Sequence, residues 1–353
     1  MKIPKVSPIH LRHAARTALA AVTTYALGAA LGMDQRYWAV ISVVIVMQAN
    51  LGGSIQAGVN RILGTAVGAF MGAACLNIFG VHAISLGIGI GLTILICAYF
   101  VHRHESFRLA GLTATIVILF GNQSDSYMKF ALQRFLEIGL GVGIALIFSL
   151  FVWPSRAGRQ LKKGVVDALN DEAALYSILF ACRHPEPGDR EAEKQAAKKL
   201  FGRRETNRTL LEEAKREPVG LAHSEHITVS LFNFTERIAE HLLSMRNAIH
   251  YQSLESLHPL VDQDMEALAQ TTVTVMTRLA LSISQDHDPG PVDDLNRAMV
   301  RAEDALTRLR QQQTLPSQSL ESVMRFYSFY YNMRQVAVEL EGMAERAAML
   351  TEE

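Results

Sequence analysis

Two hydrophobic patterns divide the chain. From about residue 14 to 153, apolar residues run in long blocks that few charges interrupt. From 155 onward, apolar residues recur every three or four positions between charged ones, as in Ile227, Leu231, Phe234, Ile238, Leu242 and Met245. The blocks have the length and composition of helices that cross a bilayer, which takes about 20 apolar residues. Six are expected, over 14–33, 37–53, 60–79, 82–101, 108–123 and 133–153. The spacing after 155 is that of amphipathic helices. Breakers at "HPEPGD", "EPVG", "HDPGP" and "LPS" divide that part into a helical bundle. The expected fold is all-α, with a transmembrane domain over 1–154 and a cytoplasmic helical domain over 155–353.

The blocks contain an internal echo. A shift of 73 residues lays Asn60-Arg61-Ile62-Leu63 on Gln133-Arg134-Phe135-Leu136 and Gly68 on Gly141. The same shift lays "SVVIVMQAN" on "TIVILFGNQ". A three-helix unit used twice is the expectation. Because three is odd, the second copy would enter from the opposite face, as in the inverted repeats of transporters. The second and fifth segments are short in clearly apolar residues and end in amides. Gln48, Asn50 and Gln123 are therefore candidate lining residues, weighed against ordinary polar helix ends.

Charge sharpens this picture. The 353 residues carry 34 basic and 34 acidic side chains, but residues 1–153 hold ten of the former and four of the latter. With the N-terminus inside, eleven basic residues flank the inner ends of the segments and three the outer ends, which places both termini in the cytoplasm. Trp38 and Trp153 fall at expected interfaces. Gly64, Gly68 and Gly72 stand four apart, a spacing that lets helices approach closely.

A cation inside hydrocarbon is costly and persists when it has a partner or a task. Arg134 has Glu137 three residues on, whereas Arg61 has no acid in its own helix. Arg61 and Arg134 are the candidate ligands for a substrate carboxylate, which suits the planar fork of guanidinium; for Arg61 the other reading is a side chain reaching back to headgroups. Glu137 is either the ion-pair partner of Arg134 or a proton carrier.

No catalytic set, phosphate loop, cofactor motif or nucleic-acid motif is evident. The acidic second half also disfavours nucleic acid. Cys75, Cys97 and Cys182 have no metal-ligand spacing, and His223 and His226 lack companion ligands. Neither a metal nor a cofactor is expected.

"RYWAVISVVIVMQ", "RILGT" with Gly68, and "RFLEIGLGVG" running on to "VWPSR" resemble the fusaric acid resistance protein family, which includes bacterial aromatic acid exporters. The resemblance covers about residues 12–156. It implies a bacterial inner-membrane protein that exports weak aromatic organic acids. Many members carry two such membrane blocks and this chain carries one, which implies a homodimer. The layout also resembles the plant aluminium-activated malate transporter group, whose members are dimeric anion channels. Exporter, passive anion channel, and membrane-anchored scaffold or sensor are the three functional expectations.

Overall fold

The computed structural model describes residues 8–121, 126–183, 188–217, 223–249, 259–311 and 320–351. Every regular element among them is helical: α1 Pro8–Ala30, α2 Tyr37–Val46, α3 Leu51–Phe79, α4 Ala83–Phe100, α5 Ser106–Phe120, α6 Tyr127–Phe151, α7 Ala157–Ala181, α8 Asp189–Ala214, α9 His223–Ile249, α10 Pro259–Gln285, α11 Asp293–Gln311 and α12 Leu320–Ala348. The chain divides into two compact units. One is Met1–Ala157 with Lys215–Pro218, and the other is Gly158–Ala214 with Val219–Glu353.

In the first unit α3, α4 and α6 are long and apolar enough to cross a membrane, with 29, 18 and 25 residues. The other apolar helices, α2 and α5, have only 10 and 15 residues. At about 1.5 Å per residue these span roughly 15 and 22 Å, short of a hydrocarbon core of about 30 Å. Six full-length spans are therefore not what the helices provide. The expected segment 37–53 is two elements: α2 stops at Val46, Met47 turns extended (φ −67°, ψ 106°), and α3 begins at Leu51. Asn50 makes the break by capping α3, its Oδ1 accepting from the Gly53 N–H at 2.8 Å.

Glycines set the packing. A methyl group at Gly68 would stand 2.2 Å from the Ala110 carbonyl oxygen and 2.9 Å from Thr113 Cβ, so α3 lies directly on α5. A methyl group at Gly141 would stand 2.2 Å from the Ala39 carbonyl oxygen and 2.9 Å from Ser42 Cβ, so α6 lies on α2 in the same way. Each third helix of the repeat thus packs on the second helix of the other copy. Gly68 and Gly141 keep the 73-residue shift. Ala39 and Ser42, however, correspond to Ala110 and Thr113, a shift of 71. The expected alignment of the second helices is corrected by two residues. The cause is the connection between second and third helix, four residues after α2 and six after α5.

In the second unit one apolar core takes side chains from all six helices, including Leu169, Tyr176, Leu242, Leu279, Leu295, Phe329 and Leu340. The aromatic stripe of α12 is in it: Phe326, Phe329 and Tyr330 are buried. Glu172 of α7 is fully buried there, and neither carboxyl oxygen makes a hydrogen bond among the described residues. Burial pushes its pKa well above the carboxylate range; nearby Arg204 pulls it back, while Glu236 and Asp171 push it further. Arg204 is engaged elsewhere, donating to both Glu236 oxygens at 2.9 and 3.0 Å.

Candidate functional site

Both repeat arginines are buried, at 0% exposure for Arg61 and 1% for Arg134. They reach the same helix. Arg61 of α3 donates through Nε to Ser42 Oγ of α2 at 3.4 Å. Arg134 of α6 lies over the Trp38 ring of α2 with its guanidinium carbon 5.4 Å from the centroid. Trp38 and Ser42 are one turn apart, about 6 Å along the axis, and Ser42 Oγ donates to the Trp38 carbonyl at 2.8 Å. The close seating of α6 on α2 at Gly141 makes this convergence possible.

Their surroundings differ. Arg134 forms an ion pair with Glu137 at 2.8 Å, donates to Gln35 Oε1, and has the Phe130 ring 4.8 Å away. Glu137 is also fully buried and accepts from Gln133 Nε2 at 3.1 Å. The terminal nitrogens of Arg61 make no hydrogen bond among the described residues. A buried guanidinium with two open donor nitrogens matches the two oxygens of a carboxylate. Headgroup contact would need an exposed side chain, which Arg61 is not.

The amide before each arginine serves a carboxylate. Gln133 donates to Glu137, and Asn60 donates to Glu105 Oε2 at 3.2 Å across to the start of α5. Gln56, one turn earlier on α3, donates to Asn60 Oδ1 at 3.3 Å. Sequence reasoning did not single out Asn60 or Glu105, because their contact joins residues 45 positions apart.

The amide candidates lie elsewhere. Gln48 is exposed; its Nε2 donates to the Ile45 carbonyl at 3.0 Å and its backbone N–H to Ser54 Oγ at 2.9 Å. Asn50 is buried and caps α3. Gln123 lies outside the described residues.

The break after α2 is held by Arg16, which the sequence reading counted only as a flanking charge. Arg16 is 2% exposed and donates to the carbonyls of Gln48 at 2.8 Å, Ala49 at 3.5 Å and Trp153 at 3.4 Å. It satisfies carbonyls freed where α2 and α6 end, an unavoidable need inside hydrocarbon. Trp153, two residues past the end of α6, has φ 47°, a left-handed conformation uncommon for a bulky residue. Position gave the one available signal: Arg16 falls inside the first expected segment, 14–33.

A family model described as "Fusaric acid resistance protein family" matches residues 10–351. An uncharacterised protein of Synechocystis sp. is 23% identical over 336 residues, covering 94% of this chain and 42% of that protein. Aluminum-activated malate transporter 14 of Arabidopsis thaliana is 32% identical over 153 residues, 40% of this chain and 28% of that one. The uncharacterised protein YhfK of Escherichia coli is 24% identical over 238 residues, 67% and 33% of the two chains. The chain spans less than half the length of each of these relatives. With a family model aligned to nearly every residue, and with the polar and glycine positions of its membrane half accounted for above, the chain belongs to the fusaric acid resistance protein family.

Proposed function

We propose that this protein moves organic acids across a bacterial inner membrane, exporting weak aromatic carboxylates, as a homodimer with both termini in the cytoplasm. Family membership and the partial match to a malate transporter support transport of organic acids over an enzymatic role. The observation that carries the reading is Arg61. It is a buried cation on an apolar helix, held by one serine and open at both terminal nitrogens among the described residues. Keeping such a group in hydrocarbon is costly, and an anionic cargo repays that cost only while it is bound.

In this reading Arg61 takes the substrate carboxylate. Arg134 and Glu137 then form the element that responds to it. A carboxylate arriving near Trp38 and Ser42 competes for Arg134, and Glu137, losing its partner, takes up a proton. That exchange links cargo binding to a proton at Glu137, so that flux depends on the pH gradient. Gln48, Asn50 and Gln123 are assigned to the end of the path. The ordered contacts of Gln48 and Asn50 give them a supporting part in shaping it.

Proteoliposome flux of radiolabelled 4-hydroxybenzoate tests this. Wild type should show gradient-driven flux, and Arg61→Gln should lose at least tenfold, about 1.4 kcal/mol or more and within the range for a charge-assisted pair. Glu137→Gln should retain flux but lose its dependence on the pH gradient. Electrogenic flux indifferent to the gradient in wild type would identify a passive anion channel instead. Full activity of Arg61→Gln would remove Arg61 from the path and favour the scaffold or sensor reading.

A further inference from the structure

A groove of about 450 Å³ runs between α4 and α5, away from the two arginines. Its walls are apolar: Ile94 and Ala98 come from α4, Val101 from just past its end, and Leu112 from α5. Gly111 opens it, since a methyl group there would stand 3.3 Å from Cys97 Cβ at the groove floor. The lining extends from Phe107 to Thr115 on α5, about two turns or about 12 Å of helix axis. Arg108 is the single charged residue of the lining, exposed at the end where α4 meets α5. The turn between these helices adds Arg103, His102 and His104, all exposed. The acid of this turn, Glu105, accepts from Asn60. The groove also faces outward. α4 is the least buried of the three helices long enough to span a membrane, and it exposes Ile84, Leu95 and Tyr99.

We propose that this groove is a binding site for an anionic phospholipid. One acyl chain lies along Ala98, Val101 and Leu112, and the phosphate meets Arg108, with Arg103 adding to the field. The pairing is chemical on both sides. The walls are apolar for about two helical turns, which suits a hydrocarbon chain, and the polar end is basic, which suits a phosphodiester. A zwitterionic lipid offers the same chain with no net charge, so the basic end makes the site selective. This inference goes beyond the transport reading and stands whether or not Arg61 carries cargo.

Native mass spectrometry of the full chain, released from a bilayer containing phosphatidylglycerol and phosphatidylethanolamine, reads the site directly. Wild type should retain phosphatidylglycerol above its bulk share. Arg108→Gln should keep bound lipid but lower the phosphatidylglycerol preference about fivefold, the factor for one basic residue at an anionic surface. Ala98→Phe, which fills the groove from an exposed position, should lose the retained lipid. Leu112→Trp on the opposite wall serves if that variant does not fold. An unchanged lipid profile in Arg108→Gln, or retained lipid in both filled variants, would overturn the proposal. So would displacement of the lipid by 4-hydroxybenzoate, or loss of a dimer mass without loss of lipid in the filled variants. The first of these would give the groove to substrate and the second to another copy of the chain.

Discussion

Arg61 and Arg134 occupy equivalent places in the repeat, and neither is defined by its own side chain. Glu137 and Gln35 engage the terminal nitrogens of Arg134, whereas Arg61 keeps its two terminal nitrogens open among the described residues. Glu172, buried in the second unit, has a different fate because its neighbour Arg204 is engaged by Glu236. Burial disfavours its ionised form, so its folded pKa lies above the unfolded value. Stability from this group is full below the unfolded pKa and falls as pH rises through the folded one. Glu172→Gln keeps the neutral shape and removes the titration. Thermal melts of the full chain from acid to mildly alkaline pH should therefore show a steeper loss as pH rises above the ordinary carboxylate range in wild type than in the variant; parallel curves would contradict this assignment. The pairing of Arg134 with Glu137 was legible in the sequence from their spacing, whereas for Arg61 burial and headgroup contact both stood open. The role of Arg16 was not legible. Its partners lie 32 to 137 residues away, and local spacing carries no trace of them.

At the level of helices, glycines divide into two kinds. Gly68 and Gly141 sit against backbone carbonyls with no room for a methyl group, while Gly87, Gly91 and Gly143 have no neighbour within 4 Å of that position. Gly68→Ala and Gly141→Ala should each cost about 1–3 kcal/mol by forcing helices apart. Gly87→Ala and Gly91→Ala should leave thermal stability unchanged or raised, since glycine is the weaker helix former. A melt of the four variants in detergent checks this, and equal losses would show that spacing alone had misled. The four-residue glycine spacing of α3 was readable in advance as close packing. Which helix it packs on was not, because the pattern is silent on partners. The break at Met47–Asn50 was marked only by the amides Gln48 and Asn50, which suit a lining position as well as a polar helix end, so the spacing did not show that a new helix starts there.

For the whole molecule the reciprocal seating of α3 on α5 and α6 on α2 has a consequence for how such a chain is made. Neither half of the repeat contains the surface its own third helix requires. During synthesis α3 must wait, its glycine face unfilled, until α5 emerges, and α2 must wait for α6. Two separately translated pieces divided at 80–82, between α3 and α4, should each be degraded when produced alone and should accumulate when produced together. Assembly of either piece in isolation would contradict this. A lone three-helix unit with these glycine faces could not close on itself and would need a second copy to fill them.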